Sequence, residues 1–499
     1  MPGPKAPDIC CSWVIINHSV MKYSYLFLIA LLLFNSSCTS PDQSSGDDLP
    51  NIIYIMADDL GIGDLGCYGQ TLFSTPNIDY LARNGMRFTR HYSGSTVCAP
   101  SRSVLMTGQH TGHTPIRGNK KMPLPDAYVT VAEVLKEAGY TTGVFGKWSL
   151  GLLEEYGGES HLEGYPTRQG FDVFFGYDDQ TLAHRYYPDD LKSNESVVPL
   201  PGNDGVHADV YAPDLIHENL MDFIDNNKDR PFFLYYATII PHAELILPND
   251  TLVSRFKGKF PETPFKGNDY GADNFKWGGY CSVEYPNATY AAMITLLDIY
   301  VGRIIDKLRE EELLDNTLIF FTSDNGATTA GGRDPTVFNS TAGLRGLKRD
   351  LFEGGIRAPM LACWKGKIAP GSESDHISAF EDVLPTLAEV AGSRVPAGID
   401  GISFLPVLLG KKQDEQHEYL YWEYPENGGK VAIRRGNWKA VRVDVSTDPD
   451  APVMLFDLEK DPYEERDVSS EFPDIVEDML ALMLQSRTTS PHYPLYPDE

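Results

Sequence analysis

The segment Cys98-Ala99-Pro100-Ser101-Arg102, continuing to Thr107-Gly108, places a nucleophile and a fixed positive charge at helical spacing. Pro100 suits the first turn of a helix, which puts Cys98 at the positive N-terminus and Arg102 about one turn later on the same face. A nucleophile and a guanidinium would there face one anion. The same residues also suit a helix-start cysteine beside a solvent-facing arginine, or a reactive, unmodified thiolate. Two polar pairs stand elsewhere, Asp58-Asp59 and Asp324-Asn325. If both close neighbouring strands, their oxygens converge on a hard cation, Ca²⁺ or Mg²⁺ in preference to zinc. Taken singly, Asp-Asp and Asp-Asn-Gly are common turn chemistry.

Each pair follows an apolar run. Residues 51–56 are continuously apolar over strand length, as a strand buried on both faces of a parallel sheet requires, and 141–145, 231–238 and 318–323 look similar. Helical patterns at 131–138 and 290–310 lie between them. This alternation predicts an α/β fold, a large, mostly parallel sheet sandwiched by helices, which gathers ligands just beyond its strand ends. From about residue 416 the texture changes. Short strands at 418–423, 431–435 and 438–443, a Gly436-Asn437 turn and a helix at 471–485 predict a smaller α+β C-terminal subdomain over 416–499, after a catalytic domain at 50–415.

The 499 residues carry 42 Lys+Arg against 70 Asp+Glu, with 42% hydrophobic and 22% charged content. These values exclude low-complexity disorder, collagen and a multi-span membrane protein. A net charge of -28 opposes whole-surface attraction to nucleic acid, so no nucleic-acid partner is expected, and an anionic substrate needs locally concentrated positive charge. Residues 1–37 read as an export signal: Met21-Lys22, a candidate true start, precedes an apolar run at 25–34 and then Ser36-Ser37-Cys38. The small residues before Cys38 resemble a loose bacterial lipoprotein cleavage site. The expected location is therefore periplasmic or cell-surface in a bacterium, with the membrane engaged only through a lipid anchor at Cys38 and a flexible tether over 38–49; soluble secretion is the alternative. Without a C-x-x-C pair, at most one disulfide is expected among Cys67, Cys281 and Cys363.

Five stretches together resemble the type I sulfatases of the alkaline-phosphatase-like superfamily: 51–69, 98–108, Gly146-Lys147-Trp148, 322–326, and Gly346-Leu347-Lys348 leading into 353–359. They span residues 50–360 in family order, and Cys-x-Pro-Ser-Arg is the most specific. The resemblance implies that Cys98 is converted by a formylglycine-generating maturation enzyme to Cα-formylglycine, whose hydrate supplies the nucleophilic oxygen. It implies one Ca²⁺ held by Asp58, Asp59, Asp324, Asn325 and the modified Cys98. Arg102 would orient the hydrate, Lys147 and Lys348 would bind sulfate, and His242 would assist the leaving group. The implied reaction is hydrolysis of a sulfate monoester, with a sulfated carbohydrate as substrate and inorganic sulfate as product.

One position departs from the family pattern. The usual Gly-Lys-Trp-His-Leu-Gly reads Gly146-Lys147-Trp148-Ser149-Leu150-Gly151 here, and Ser149 cannot replace an imidazole as base. Sulfate elimination must then use a water, a neighbouring histidine or metal-driven collapse. The aromatic-rich loop 181–188 supplies His184 and Arg185 as candidate sugar contacts, with a packed surface loop as the plainer reading. Two rival functions stand beside the sulfatase one: a phosphoester or phosphonate hydrolase of the same superfamily, and a non-catalytic surface protein that binds glycans.

Overall fold

The computed structural model describes residues 49–152, 154–156 and 159–499, together with Gly3. The expected export signal, Cys38 and nearly all of the tether lie outside the described residues. Ten strands form the principal sheet: β1 (Asn51–Ala57), β2 (Met86–Phe88), β3 (Thr141–Lys147), β4 (Val173–Tyr177), β5 (Asp190–Ser193), β6 (Ser196–Pro199), β7 (Phe232–Ala237), β8 (Thr317–Ser323), β9 (Met360–Cys363) and β10 (Ser372–Ser374). Their spatial order is β10-β2-β9-β8-β1-β7-β3-β4-β5-β6. The five central strands, β8, β1, β7, β3 and β4, are parallel. The flanks bring antiparallel pairings, β8 with β9 and β9 with β2 on one side, β4-β5-β6 on the other. The sheet is therefore mixed, and the expected parallel order describes its centre.

Every residue of β1 is buried, which explains its unbroken apolar run. Its alternate side chains serve two cores. Ile53 and Ile55 pack with residues of α4 (Ala212–Asn227) and α5 (Pro286–Glu310); Ile52, Tyr54 and Met56 pack with residues of α2 (Cys98–Thr107), α3 (Val131–Glu137) and α6 (Val383–Val390). The remaining longer helices are α1 (Pro76–Asn84) and α7 (Pro473–Gln485). Helix α3 starts with a capping box between Thr130 and Glu133. Helix α5 is long and apolar enough to span a bilayer, yet it is largely buried inside the fold.

Beyond the principal sheet, β11 (Leu420–Tyr424), β12 (Lys430–Arg435), β13 (Trp438–Val443) and β14 (Met454–Asp457) form a four-stranded antiparallel sheet. With α7 it makes the expected small C-terminal subdomain. Residues 49–499 cluster as one compact unit. Lys439 of β13 lies buried 2.9 Å from both Glu353 and Glu464, so an ionic cluster ties this sheet to the chain segment just after Lys348. Cys67, Cys98, Cys281 and Cys363 are all free thiols.

Candidate active site

Four adjacent parallel strands deliver polar residues at their carboxyl ends, where an open α/β sheet leaves its ligand crevice. Asp58 and Asp59 follow β1, Asp324 and Asn325 follow β8, Lys147 ends β3, and His242 lies in the loop after β7. Helix α2 points its N-terminus at this edge and presents Cys98 in its first turn; all ten of its residues are buried. Lys348 arrives from a loop stitched to the end of β8. Its amide donates to the Ala327 carbonyl at 2.8 Å, and the Gly326 amide donates to the Gly355 carbonyl at 3.0 Å. Gly326 has to lack a side chain there, because a Cβ would sit 2.0 Å from the Gly354 carbonyl oxygen.

The contacts are dense and buried. Cys98 donates its S–H to Asp58 Oδ1 at 3.2 Å, and Lys348 Nζ lies 3.3 Å from Cys98 Sγ. Lys147 Nζ donates to Asp58 Oδ2 at 2.7 Å and Lys348 Nζ to Asp59 Oδ1 at 2.5 Å. Arg102 spans the group, 2.9 Å from Asp324 Oδ2 and 3.3 Å from Asp58 Oδ2, while its other terminal nitrogen donates to the Lys147 carbonyl at 2.6 Å. Asn325 donates to Asp59 Oδ1 at 2.8 Å, and the Asp59 amide donates to Asp324 Oδ1 at 3.1 Å. Asp59 takes a left-handed backbone, φ 66°, which an aspartate tolerates better than most residues.

Burial governs the protonation of these groups. It pushes the Cys98 thiol up to about 12, with Asp324 and Asp58 adding to the effect, so the helix N-terminus does not make a thiolate here. Asp324 rises to about 6 through burial and the neighbouring Asp58. Burial would also raise Asp58, but Lys147, His242, Arg102 and Lys348 outweigh it and hold the carboxyl well below its ordinary value. His242 falls to about 4 because burial disfavours its charged form more than Asp59 and Asp58 favour it.

Asp58, Asp59, Cys98 and His242 each offer a ligand atom within 4.8 Å of the others. Asp59 Oδ2 is buried and has no hydrogen-bond partner among the described residues, and His242 Nε2 stands 3.5 Å away. His242 Nδ1 contacts the Ala243 carbonyl and so carries the proton in the neutral ring, which leaves two acceptors facing each other. That arrangement, three buried carboxylates and an unpartnered oxygen, fits a hard cation. A second group, His110, His113 and Asp400, does not fit a metal as well. The two rings stack face to face at 4.4 Å, so their in-plane lone pairs do not converge, and His110 Nδ1 already accepts the Gly112 N–H.

His184 stacks on His242, with ring centroids 4.7 Å apart and planes 12° from parallel, and Tyr280 flanks both. Arg185 departs from the expected sugar contact. It is fully buried, ion-paired to Glu244 at 2.6 Å, and donates to the Asn268 and Lys276 carbonyls, so it anchors the loop rather than offering a free charge. Glu244 lies 59 residues away in sequence, and nothing local announced the pairing. Ser149 adjoins the site, with φ 68° and a buried hydroxyl that has no partner among the described residues. Sequence reasoning missed Asn119, which accepts the Ala99 amide at 3.2 Å, and Tyr280; both sit in segments without a pattern of their own.

Comparison with known proteins gives the family. The sulfatase family profile matches residues 50–393, and the C-terminal profile of N-sulphoglucosamine sulphohydrolase matches 346–489. Human arylsulfatase A is 34% identical, over 83% of this chain and 82% of its own. The N-acetylgalactosamine-6-O-sulfatase of Bacteroides thetaiotaomicron is 30% identical, over 92% and 97% respectively. The crystal structure of Ps i-CgsB in complex with k-i-k-neocarrahexaose superposes with a TM-score of 0.73 at 27% identity, covering 90% of this chain and 96% of that one. The chain belongs to the sulfatase family. It is a sulfuric ester hydrolase with the family's α/β fold.

Proposed function

We propose that the chain releases inorganic sulfate from a sulfated polysaccharide or oligosaccharide, using formylglycine at position 98 and one Ca²⁺. The observation that carries this reading is the position of Cys98. Its Sγ sits at the head of α2, between Asp58 Oδ1 and Lys348 Nζ, inside a cluster of three carboxylates and three cations. A thiol pushed up to about 12 is a poor nucleophile at neutral pH, which favours an oxygen nucleophile made from it. The formylglycine hydrate would supply a hydroxyl that can be regenerated after each turnover. Asp58, Asp59, Asp324, Asn325 and residue 98 would hold the Ca²⁺, which would add fixed positive charge beside the sulfate oxygens.

The chain's own residues meet the electrostatic demand of the reaction. A sulfate monoester is an anion that shifts further charge onto its bridging oxygen as the S–O bond breaks. Arg102, Lys147 and Lys348 are buried, fixed by hydrogen bonds, and act where water cannot screen them. His242 faces the site through Nε2. The negative charge of a bound ester raises its proton affinity, so His242 takes up a proton and delivers it to the departing alkoxide. Stacked His184 holds that ring in place. A carbohydrate substrate is supported by the relative named for N-acetylgalactosamine 6-sulfate and by the structure bound to neocarrahexaose. The apolar run at 25–34 and the small residues before Cys38 support export as a bacterial lipoprotein, periplasmic or at the cell surface. Because Cys98 is fully buried in the fold, a formylglycine-generating enzyme would act on it before the chain folds.

The test is peptide mass spectrometry at position 98 combined with sulfate release from defined sulfated saccharides. Aldehyde at 98 and release that scales with its content are expected. An intact thiol in fully active protein would overturn the reading.

A further inference from the structure

A cavity of ≈ 590 Å³ opens beside β10, the edge strand of the principal sheet, between that edge and the segment 407–420 that leads into the C-terminal sheet. Strand β10 stands three positions from β8, about 14 Å at the usual strand spacing, and no residue of the catalytic centre lines the cavity. Arg434, near the end of β12, forms part of its wall. This arginine is only 2% exposed and has no carboxylate partner among the described residues. Its Nε donates to the Gly436 carbonyl at 3.0 Å and its Nη1 to the Tyr92 hydroxyl, which leaves Nη2 without a partner among the same residues. The buried Glu353 carboxylate feels the charge of Arg434, but it is bonded to Lys439 at 2.9 Å and Arg357 at 2.7 Å. Arg434 therefore brings to the cavity a positive charge that no ion pair answers.

The other charges around the cavity do not cancel it. Glu373 and Asp375, the two carboxylates of the lining, are paired with Arg87 and Arg90. His417 is paired with Asp382 at 2.7 Å, and burial lowers His376 and favours its neutral ring. Lys367 and Lys411 line the cavity as well and have no ion pair among the described residues. Three unpaired cations thus share one cavity in a chain of net charge -28, while Ile377, Val407, Leu408 and Tyr419 add apolar lining. A buried cation without a counter-ion is costly, and clustered positive charge against apolar walls concentrates anions. Apolar surface beside a few charged groups suits a ligand with a ring to pack and an oxyanion to pair, which a guanidinium fork grips well.

We propose that this cavity is a second, non-catalytic binding site that takes an anionic saccharide unit, its sulfate or carboxylate paired with Arg434, Lys367 and Lys411 and its ring packed on the apolar lining. The choice of ligand rests on the proposed sulfated-polymer substrate. Such a polymer repeats its anion along the chain, so a unit held here raises the local concentration of its neighbours at the catalytic centre.

The experiment measures binding by calorimetry in a Cys98→Ala background, where nothing is turned over. The probes are chondroitin 6-sulfate hexasaccharide and neocarrahexaose sulfate, with maltohexaose and inorganic sulfate as controls. Removing both lysines, in Lys367→Ser with Lys411→Ser, is expected to weaken hexasaccharide binding about tenfold, and Arg434→Met at least as much. Hydrolysis of 4-methylumbelliferyl sulfate by formylglycine-containing versions of the same variants should stay within about twofold of wild type, because the cavity lies apart from the nucleophile. If Arg434→Met fails to fold, the double lysine variant decides alone. Affinity unchanged in that variant overturns the site, as does equal affinity for maltohexaose, or displacement of the hexasaccharide by inorganic sulfate at equal concentration. A loss of aryl-sulfate hydrolysis that matches the loss of binding also overturns it, since the lysines would then act through the catalytic centre. Wild-type protein that hydrolyses no sulfate ester would sink the sulfatase reading, and the calorimetry would still decide the site.

Discussion

At the smallest scale, Asp59 Oδ2 is the atom that a bound cation would satisfy. Three carboxylates, Asp58, Asp59 and Asp324, lie within hydrogen-bonding range of the same few groups, and Asp324 is pushed up to about 6 because burial and Asp58 both disfavour its charge. Arg102, Lys147 and Lys348 balance the formal charge, yet one oxygen remains without a partner among the described residues. A divalent cation that binds only the folded chain adds stability by mass action, about 4 kcal/mol at a thousandfold excess over Kd. With roughly 1 kcal/mol/K of unfolding entropy for a unit of this size, chelation should lower Tm by about 4 °C. Differential scanning calorimetry with and without EDTA checks this. Ca²⁺ should restore the transition and Zn²⁺ should not, since the donors are mainly oxygens. A Tm indifferent to chelation would argue against a resident cation.

At the scale of elements, the site is an agreement among strand ends, one helix and one loop. The loop carrying Lys348 is held from two sides. Gly326 packs directly on the Gly354-Gly355 backbone, and Lys430 at the start of β12 donates to the Arg349 carbonyl at 2.6 Å. The substitution Gly326→Ala would drive a methyl group into a carbonyl oxygen that cannot move without shifting Lys348. We expect a loss of about 1–3 kcal/mol in unfolding free energy from urea titration. Turnover should fall more steeply than the folded fraction, because Lys348 leaves its place beside Asp59 and Cys98. Unchanged stability and turnover would show that the loop has more slack than this packing implies. Arg185 belongs to the same scale. Its composition as part of an aromatic, basic loop resembled a sugar contact, but Glu244 and two backbone carbonyls take its N–H edge while Tyr270 and Phe275 lie against the guanidinium.

Across the whole molecule a net charge of -28 coexists with three buried cations, Arg102, Lys147 and Lys348, at the site, so the chain can receive an anion there. A second charged centre, around Glu381, Asp382 and His417, makes stability depend on pH. His417 is buried, which alone would lower it, but Asp382 at 2.7 Å outweighs burial and raises it to about 9. Glu381 rises to about 8 through burial and the adjacent Asp382. Both folded-state values exceed the ordinary ones, so the folded chain holds more protons than the unfolded chain over this range. The His417 contribution is complete below pH 6.5 and is lost as pH climbs through 9; Glu381 disfavours the fold increasingly from about 4.5 to 8. Unfolding free energy should therefore fall from pH 6.5 to 9, with His417 accounting for roughly 3 kcal/mol, and His417→Gln should flatten the curve. Urea titrations at half-unit intervals measure the slope, and parallel curves for both proteins would exclude His417 as its source.

The chemistry of the site was legible in short motifs because each needed only local order. Asp58-Asp59 and Asp324-Asn325 closed apolar runs, Cys98 and Arg102 shared a helical face, and the β1, β3, β7 and β8 runs had the length and texture of buried strands. The flank built from β2, β9 and β10 was not legible, since these strands are three or four residues long and β2 pairs with β9 and β10 across hundreds of positions. Nor was the fate of Arg185, or the cavity that Arg434 lines. Residue types and near-neighbour spacing thus determined which groups could react and that a sheet edge would carry them. Only the tertiary structure decided which charges were spent on partners and which faced open space, because pairing between distant segments depends on packing in three dimensions and leaves no periodicity along the chain.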